Sequence, residues 1–356
     1  MTSHEDQLNN VVSAVRPTDP AAEHRAWTRL DSLTKPPRSL GRLEEIAAQV
    51  ARVQDCVRPS VANKSVLLMA GDHGVVAEGV AAYPQDVTWQ MVANFVAGGA
   101  AINQIAQSVG STVSVHDVGV AKDLSDFAGI VHANVAHGTA NMATGPAMSR
   151  EQAAQAVLVG VEAARAAVAG GATLVGTGEM GIGNSTAAAA LTSALTGVAP
   201  QLVVGAGTGL DSAGIAHKAD VVSRSLVVNA VDELDPLGKL AAVGGLEIAA
   251  LAGVVIGAAE QGVVVISDGY ISGAATLAAL ALCPAAHDYV MPSHLSVEPG
   301  HRVVLDHLGL KPILELSMRL GEGTGAALAM AVVDAACRML SGMATFAEAG
   351  VAEAEG

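Results

Sequence analysis

The sequence predicts an α/β protein with a mainly parallel, Rossmann-like sheet flanked by helices and with a smaller helical domain. Short aliphatic runs alternate with longer helical segments along most of the chain, which is typical of βαβ units. The composition is 51% hydrophobic, 15% charged and 2% aromatic, which suits aliphatic strands buried under helices. A chain of 356 residues is long enough for one large domain and a small one.

The chain opens with helical sequence. Spaced apolar residues among charged ones predict three helices with no strand pattern between them, over residues 4–15, 20–33 and 40–53. We therefore predict a small helical subdomain at residues 1–60, to which a C-terminal helix is a candidate addition. An α/β catalytic domain at residues 61–345 and an acidic tail at residues 346–356 complete the predicted organisation.

From residue 65 onward, short aliphatic runs and longer helical segments alternate. The aliphatic runs predict strands over residues 66–70, 112–118, 172–175, 202–204, 263–266 and 289–291. The longer segments predict helices over residues 86–97, 100–109, 149–168, 184–195, 211–226, 245–259, 271–282 and from 299 onward. Because ligands of parallel sheets bind beyond the carboxyl ends of the strands, the loops that follow these strands form the candidate site.

Charge and composition argue against several classes of partner. The formal net charge of −15 argues against a nucleic acid, because phosphate backbones are bound by many Lys and Arg side chains. No uncharged aliphatic run reaches the roughly 20 residues of a membrane helix, and the first residues lack the pattern of a signal peptide. The three cysteines are far apart and suggest neither a disulfide framework nor a CxxC metal site. We therefore expect a cytoplasmic protein with no membrane partner.

The loop after the first predicted strand carries polar side chains. Asp72 and His73 follow that strand directly, and Tyr83 comes shortly afterwards. These residues are positioned to reach a cleft at the carboxyl edge of the sheet. An Asp-His pair in a turn is nevertheless engaged more often in local hydrogen bonds than in catalysis.

Two glycine-rich loops also follow predicted strands. The segment 178–186 joins a strand to an alanine-rich helix, so its backbone N–H groups and the helix N-terminus form an anion site, although an ordinary capped helix has the same pattern. The candidate phosphate-binding residues are Gly178, Gly181, Gly183, Asn184, Ser185 and Thr186. The segment 205–209 resembles a dinucleotide fingerprint only loosely, because Leu210 replaces the last glycine and no lysine follows as in a P-loop.

Glu322 lies between two glycines near the C-terminus. Gly321 and Gly323 permit backbone conformations that other residues rarely adopt, and a helical pattern begins near Thr324, a candidate cap. This arrangement suits a positioned acid or base better than a packed core. The motif alone leaves a solvent-facing glutamate at a helix start equally open.

Two histidines and a glutamate lie within residues 293–301, which raises the question of a metal site. His294 and His301 are seven positions apart with Pro299 and Gly300 between them, unlike the close and regular spacing of zinc ligands on one helix. A polar loop that lines a pocket is the preferred interpretation, and we predict no metal.

Sequence blocks across nearly the whole chain carry a family resemblance. They are residues 35–43 (KPPRSLGRL), 72–75 (DHGV), 78–80 (EGV), 117–119 (DVG), 145–150 (GPAMSR), 178–184 (GEMGIGN), 244–248 (GGLEI), 268–269 (DG), 293–294 (SH) and 318–328 (MRLGEGTGAAL). In this order the blocks resemble the nicotinate-nucleotide:dimethylbenzimidazole phosphoribosyltransferases. Together they are highly specific, although any one of them alone is weak.

The resemblance implies a transfer of phosphoribosyl from nicotinate mononucleotide to a benzimidazole, with release of nicotinate and inversion at the anomeric carbon. It implies that Glu322 is the catalytic base. It also places Glu179 among the phosphate and ribose contacts, and we add the hypothesis that Glu179 holds the ribose or steadies positive charge on the sugar. We expect no cofactor.

The resemblance also assigns binding residues and an assembly. Beyond the 178–186 loop, weaker assignments for the phosphoribosyl group are Gly205, Gly207 and Lys218. Benzimidazole contacts are expected near Tyr83, Gln90 and Leu320. The family further implies a homodimer, in which the N-terminal helices are candidates for the subunit interface.

The chemistry of this reaction agrees with the residues. The attacking benzimidazole must lose a proton, so a carboxylate within hydrogen-bonding reach is needed, and nicotinate leaves as a neutral pyridine. Alternative acceptors are adenine, another benzimidazole or a phenol. A nucleotide-cofactor oxidoreductase would require a GxGxxG opening and an acidic residue after the next strand, which are not found. A non-catalytic protein that binds benzimidazoles or nucleotides would not require Glu322.

Overall fold

A computed structural model describes residues 3–207 and 209–352. Its strands are β1 (Lys64–Gly71), β2 (Ser111–Gly119), β3 (Val131–His132), β4 (Leu174–Met180), β5 (Val264–Ser267) and β6 (Val290–Pro292). They form one sheet in the order β3-β2-β1-β4-β5-β6, and every neighbouring pair is parallel. This is the strand order of doubly wound dinucleotide-binding sheets, whose direction of winding reverses between β1 and β4. The predicted fold class is confirmed.

Helices account for most of the remaining chain. In the first half they are α1 (His4–Ala14), α2 (Pro20–Ser32), α3 (Arg42–Val53), α4 (Val87–Ala97), α5 (Ala101–Ser108), α6 (Arg150–Ala169) and α7 (Asn184–Thr196). In the second half they are α8 (Pro200–Val203), α9 (Ser212–Val228), α10 (Pro236–Val243), α11 (Leu246–Glu260), α12 (Tyr270–Leu282), α13 (Pro299–Leu308), α14 (Thr324–Gly342) and α15 (Phe346–Ala349). Short 3-10 turns lie at Gly74–Glu78, Val231–Glu233 and Pro284–Tyr289.

Side chains of β1 alternate between two hydrophobic cores. Val66 and Leu68 belong to the core that includes residues of α3, α5 and α14. Leu67 and Met69 belong to the core that includes residues of α6 and α11. Because helices cover both faces of the sheet, all of β1 is buried and reads as a continuous aliphatic run.

Two of the strand predictions require correction. The aliphatic segment 202–204 is not a strand, since Pro200 begins the short helix α8 there. A three-residue aliphatic run does not separate a strand from a helix, and proline at the first helical position favours the helix. The strand predicted at 172–175 instead continues to Met180, so Gly178 and Glu179 lie in β4 rather than in a loop. A strand tolerates a glycine such as Gly178 where another backbone approaches closely.

Other local features were not predicted. Helix α10 and the two-residue strand β3 lie in stretches for which no element was assigned. Thr324 is the first residue of α14 rather than its cap; Gly323 is the N-cap residue, and the Thr324 hydroxyl donates to the carbonyl oxygen of Gly321. Short elements and caps depend on local contacts that periodicity does not record.

The N-terminal helices pack on different parts of the protein. Helix α1 lies against α6 and α11, whereas α2 and α3 pack on each other and on α14. A short helix, α15, falls within the segment predicted as an acidic tail, of which residues 353–356 lie outside the described part of the chain. The division into a helical subdomain at residues 1–60 and a catalytic domain at 61–345 stays a prediction.

Helix α14 is the one described helix long and apolar enough to cross a membrane by length and composition. Half of its apolar window is buried inside the protein, and the buried side chains belong to the same core as Val66 and Leu68. A core helix satisfies these criteria equally well, so α14 is weak evidence for a membrane span.

Candidate active site

The candidate site lies at the carboxyl ends of the central strands. Glu179 is near the end of β4, Asp268 directly follows β5, and His294 follows β6. Glu322 is in the loop that leads into α14. These side chains come from distant parts of the sequence and meet because parallel strands end at the same edge of the sheet.

Glu322 is held in an uncommon backbone conformation. Its φ is +63°, and the φ values of its neighbours Gly321 and Gly323 are +84° and +88°. A non-glycine residue in this region is strained, so the surrounding structure must hold it there. The side chain is buried, and its Oε2 accepts a 3.4 Å hydrogen bond from the Ile102 N–H in the first turn of α5.

Burial raises the pKa of the Glu322 carboxyl, and the nearby negative charge of Asp268 acts in the same direction, against the hydrogen bond from Ile102. A carboxylate with a raised pKa is a stronger base than one in water. The solvent-facing alternative for Glu322 is therefore wrong, since the side chain is only 7% exposed.

Asp268 anchors the loop that carries Glu322. Its Oδ2 accepts a 3.1 Å hydrogen bond from the Gly323 N–H, and its Oδ1 accepts a 2.8 Å hydrogen bond from the Ala326 N–H. These amides belong to the first turn of α14, where a carboxylate is stabilised by the unpaired N–H groups and the helix dipole. On the other side of the loop, a Cβ at Gly178 would lie 2.7 Å from the carbonyl oxygen of Glu322. Gly178 is therefore required for the close contact between the Glu322 loop and β4.

Glu179 faces the same loop. Burial raises its pKa to about 8, with further contributions from the negative charges of Asp268 and Glu247. Its Oε2 accepts a hydrogen bond from the Asn184 amide, and its Oε1 lies where a Cβ on Gly321 would be. Glu179 is thus mostly protonated at neutral pH and lies directly beside the backbone of the Glu322 loop.

His73 and Glu247 form a buried pair beneath these loops. The His73 Nε2 lies 2.6 Å from Glu247 Oε1, and both side chains are almost completely buried. Burial opposes the charge on His73, but the adjacent carboxylate of Glu247 outweighs it and raises the histidine pKa. Asp72 accepts a 2.8 Å hydrogen bond from the Ala121 N–H. The side chains of Asp72 and His73 are therefore engaged in internal hydrogen bonds. This agrees with the interpretation of local hydrogen bonding rather than catalysis.

A Cβ at Gly181 would overlap the carbonyl oxygen of Gly71, so this glycine joins the loops after β1 and β4. Gly183 has a φ of +96° and is the N-cap residue of α7. Thr186 is buried in α7, and its Oγ1 has no hydrogen-bond partner in the described chain. The 178–186 segment therefore combines close packing with a helix N-terminus.

A second polar cluster surrounds the 205–207 backbone. The Lys218 Nζ donates a 2.8 Å hydrogen bond to Ser185 Oγ, and burial lowers the lysine pKa to about 8. Gly207 has a φ of +54° and lies against both of these side chains. The structure therefore brings Ser185, Gly207 and Lys218 together, whereas Asn184 points to Glu179. Thr208, in the same loop, lies outside the described residues.

The three residues expected at the acceptor base lie on the surface. Tyr83 is 53% exposed and Leu320 is 57% exposed, and Gln90 is an exposed residue of α4. Near Gln90, the buried Thr88 accepts a 3.1 Å hydrogen bond from the Ile182 N–H. Within residues 3–207 and 209–352, no hydrogen bond joins Tyr83 or Gln90 to Glu322, so their assignment stays a prediction.

The loop after β6 lines a small cavity of about 20 Å³, which agrees with the pocket-lining interpretation of residues 293–301, and the absence of a metal stays a prediction. His294, Ser296 and Glu298 line it together with Glu179 and Arg319. His301 points elsewhere, since its Nδ1 accepts the Ser296 N–H at 3.0 Å. In the described part of the chain, no group of three or more His, Cys, Asp or Glu side chains is arranged to hold a metal ion.

Several site residues received no role from the sequence. Asp268, Glu247 and Glu298 each follow a strand or begin a helix, but a single acidic residue at such a position is common. Asp268 is the one with a usable signal, because it is a polar residue directly after a buried aliphatic strand. The partners of Glu247 and Glu298 are distant in sequence and were not predictable from it.

The doubly wound sheet, with a buried glutamate and two glycine-rich loops near the carboxyl ends of its strands, places the chain in the Rossmann-like α/β class. A family model described as phosphoribosyltransferase matches residues 15–351. The chain belongs to this family.

Similar proteins carry a more specific name. A protein of Chloroflexus aggregans (strain MD-66 / DSM 9485) is 51% identical over 346 residues, which cover 97% of this chain and 98% of that protein, and is named nicotinate-nucleotide--dimethylbenzimidazole phosphoribosyltransferase. A protein of Geobacter metallireducens with the same name is 48% identical over 97% of this chain and 98% of its own length. A crystal structure of CobT from Thermus thermophilus is 50% identical, with a TM-score of 0.90 over 94% of this chain and 100% of that one.

Proposed function

We propose that this protein transfers phosphoribosyl from nicotinate mononucleotide to dimethylbenzimidazole, giving α-ribazole 5′-phosphate and nicotinate. Family membership and the names of its relatives support the reaction. The observation that carries our assignment of the base is Glu322, a buried carboxylate in a left-handed conformation between two glycines. A strained and buried carboxylate beside glycine-rich loops at the carboxyl ends of the strands is better explained by chemistry than by stability.

In this proposal one nitrogen of the benzimidazole attacks C1 of the ribose. The bond from C1 to the pyridinium nitrogen breaks, its electron pair returns to that nitrogen, and nicotinate leaves with a neutral ring. The other benzimidazole nitrogen loses its proton to Glu322. The raised pKa of Glu322 favours this step, and a positioned base typically contributes about 10²–10⁴-fold to the rate.

Glu179 is assigned to the ribose and to the positive charge of the donor. Its pKa of about 8 leaves it largely neutral in the free protein, and a bound pyridinium would favour the ionised form. Asn184 supports this role, since its amide donates to Glu179 Oε2 and orients the carboxyl. If the substitution Glu179→Gln left both the affinity for nicotinate mononucleotide and the turnover intact, this role would be wrong.

The donor phosphate is assigned to the cluster formed by Lys218, Ser185 and Gly207. A buried lysine beside a hydroxyl group and a glycine backbone has the chemistry of a local phosphate site. The N-terminus of α7 at Gly183 lies in the same segment of chain, and its helix dipole favours an anion there. Gly178 and Gly181 are assigned to packing of the loops around this site.

An acceptor panel tests the reaction. The protein is mixed with nicotinate mononucleotide and with dimethylbenzimidazole, benzimidazole, adenine or a phenol, and both nicotinate release and the nucleotide product are measured. We expect the greatest turnover with dimethylbenzimidazole. Greater turnover with another base would keep the reaction and change the acceptor. Binding without nicotinate release would favour a binding protein, and tight binding of a nicotinamide dinucleotide would favour the oxidoreductase.

We further propose a cytoplasmic homodimer with the domain division given above. Exposed apolar side chains beside the site support an interface there. Val297, Leu316 and Leu320 are each more than half exposed, and the 297 and 318 backbones are hydrogen-bonded to each other. Measuring the molar mass in solution by analytical ultracentrifugation tests the assembly, and a monomeric mass at assay concentrations would contradict it.

A further inference from the structure

Glu298 is a buried carboxylate to which the reaction above assigns no role. It immediately precedes α13, is 6% exposed and lines the same pocket as Glu179 and Arg319. Its Oε1 accepts a 2.9 Å hydrogen bond from the Gly207 N–H. Its Oε2 is buried and has no hydrogen-bond partner in the described chain. Because an unpaired carboxylate oxygen is costly to bury, a role at this position is expected.

Residues 205–207, which we call the phosphate loop, lie between Glu298 and Lys218. A Cβ at Gly205 would overlap Glu298 Oε2, so the loop backbone is in direct contact with the carboxylate. A Cβ at Gly207 would lie 2.9 Å from Ser185 Oγ and 3.2 Å from Lys218 Nζ. Both glycines are therefore needed for the loop to lie between the acidic and the basic side chain.

Glu298 is also the negative charge that acts on Lys218. Burial lowers the lysine pKa to about 8, and the charge of Glu298 opposes that effect. Helices α7 and α8, which pack against the helix of Lys218, contain no ionisable side chains, and Glu78, which also contacts that helix, is paired with Arg224. Arg319 reaches the same loop, where its Nη1 donates to the Gly207 carbonyl oxygen. Removing the charge of Glu298 would therefore leave the buried lysine without the carboxylate that offsets its burial.

We propose that Glu298 is a positioning residue for the donor phosphate, which fixes Gly207 beside Lys218 and places a counter-charge near the lysine. The inference rests on the proposed function, since the phosphate is that of nicotinate mononucleotide. A carboxylate near a phosphate site would ordinarily weaken anion binding by repulsion. Here its loss weakens binding, because a neutral Lys218 no longer attracts the phosphate.

The test is calorimetric titration of nicotinate mononucleotide and, separately, inorganic phosphate into the full chain between about pH 6 and pH 9. The variants are Glu298→Gln, Lys218→Met and the double substitution. The glutamine keeps an oxygen that accepts the Gly207 N–H but removes the charge. We expect Glu298→Gln to weaken binding about three- to tenfold at pH 8 and to move the alkaline loss of affinity to lower pH. In the Lys218→Met background it should have no further effect.

Asp306→Asn, an exposed change on α13, is the matched control and should bind as the parent protein does. If the Glu298→Gln protein binds nicotinate mononucleotide as tightly as the parent protein, or more tightly, the proposal is wrong. It is also wrong if Glu298→Gln lowers the affinity equally in the Lys218→Met background. Thermal unfolding of each variant checks that the fold is kept. Binding is measured without turnover, so a protein that binds the nucleotide and phosphate as expected but releases no nicotinate contradicts the proposed function alone. Absence of any binding by the parent protein contradicts both.

Discussion

The Arg319 Nη1 donates a 2.7 Å hydrogen bond to the carbonyl oxygen of Gly207. Arg319 stands three residues before the proposed base, Glu322, and Gly207 belongs to the proposed phosphate loop. One side chain therefore connects the two ends of the site. We expect this connection to fix the separation between the proposed base and the proposed phosphate site.

Arg319→Ala should raise the KM for nicotinate mononucleotide about fivefold, because a hydrogen bond from a charged group to the phosphate loop is lost. Steady-state kinetics with the donor varied and the acceptor saturating measures this change. Arg302→Ala, an exposed change on α13, is the control. If the two variants have the same KM, the connection between the loops has no part in donor binding.

Glu322→Gln should keep the fold and the affinity for nicotinate mononucleotide while lowering kcat about 10²–10⁴-fold. The amide has nearly the shape of the carboxyl group but does not accept the acceptor's proton. Rapid measurement of nicotinate release together with a donor titration separates the two effects. Unchanged turnover would remove Glu322 from its proposed role.

The pH profile of the unaltered protein gives a second test of the same residue. Glu322 must be ionised to act as a base, and burial raises its pKa above the ordinary value of a glutamate. Activity should therefore be lost as the pH falls, beginning at a higher pH than for an exposed carboxylate. A kcat that stays constant down to the ordinary range of a glutamate would contradict this expectation.

Gly321→Ala should abolish most of the activity and lower the stability by more than about 1 kcal/mol. The backbone at Gly321 has a φ of +84°, and the new Cβ would overlap Glu179 Oε1. Gly309→Ala is the matched control, since Gly309 has a φ of +65° and nothing within 4 Å of the added Cβ. The control carries the backbone strain without the overlap. Chemical denaturation and activity measured on both separate these contributions, and equal losses would show that strain alone is responsible.

Glu179 should make the stability depend on pH. Its pKa rises from 4.5 to about 8 on folding, so between these values the folded chain holds a proton that the unfolded chain has lost. The contribution of Glu179 to the free energy of unfolding is therefore fully present below about pH 4.5 and is lost as the pH rises toward 8. Glu179→Gln does not titrate, so the Tm of the unaltered protein relative to that variant should fall by about 3 °C between pH 5 and pH 8. Parallel melting profiles would contradict the raised pKa.

Much of the architecture can be predicted from the sequence. Helices on both sides of the sheet require buried strands, and the runs at 66–70 and 263–266 therefore appear as continuous aliphatic segments. The loops after those strands are polar and rich in glycine, which marks the edge where ligands bind. The segment 202–204 is the exception, because so short an aliphatic run has no periodicity and Pro200 begins a helix there.

Part of the site was also accessible. The sequence alone shows that Glu322 lies between two glycines and predicts a glycine-rich loop before the helix that became α7. These are local properties, since left-handed backbone and helix N-termini depend on adjacent residues. The sequence pattern predicts a loop at Glu179, whereas this residue lies in β4. It nevertheless lies within the predicted anion segment 178–186.

The side chains that hold the site in place are apparent from the tertiary structure and not from the sequence. Asp268 accepts from Gly323 across 55 residues of chain, and Glu298 accepts from Gly207 across 91. His73 and Glu247 are separated by 174 residues. Apart from Asp268, which directly follows a buried strand, these acidic side chains have an ordinary local sequence, and the role of each arises from burial beside a specific amide or cation. Burial and long-range pairing determine pKa and position, and neither is encoded in the spacing of neighbouring residues.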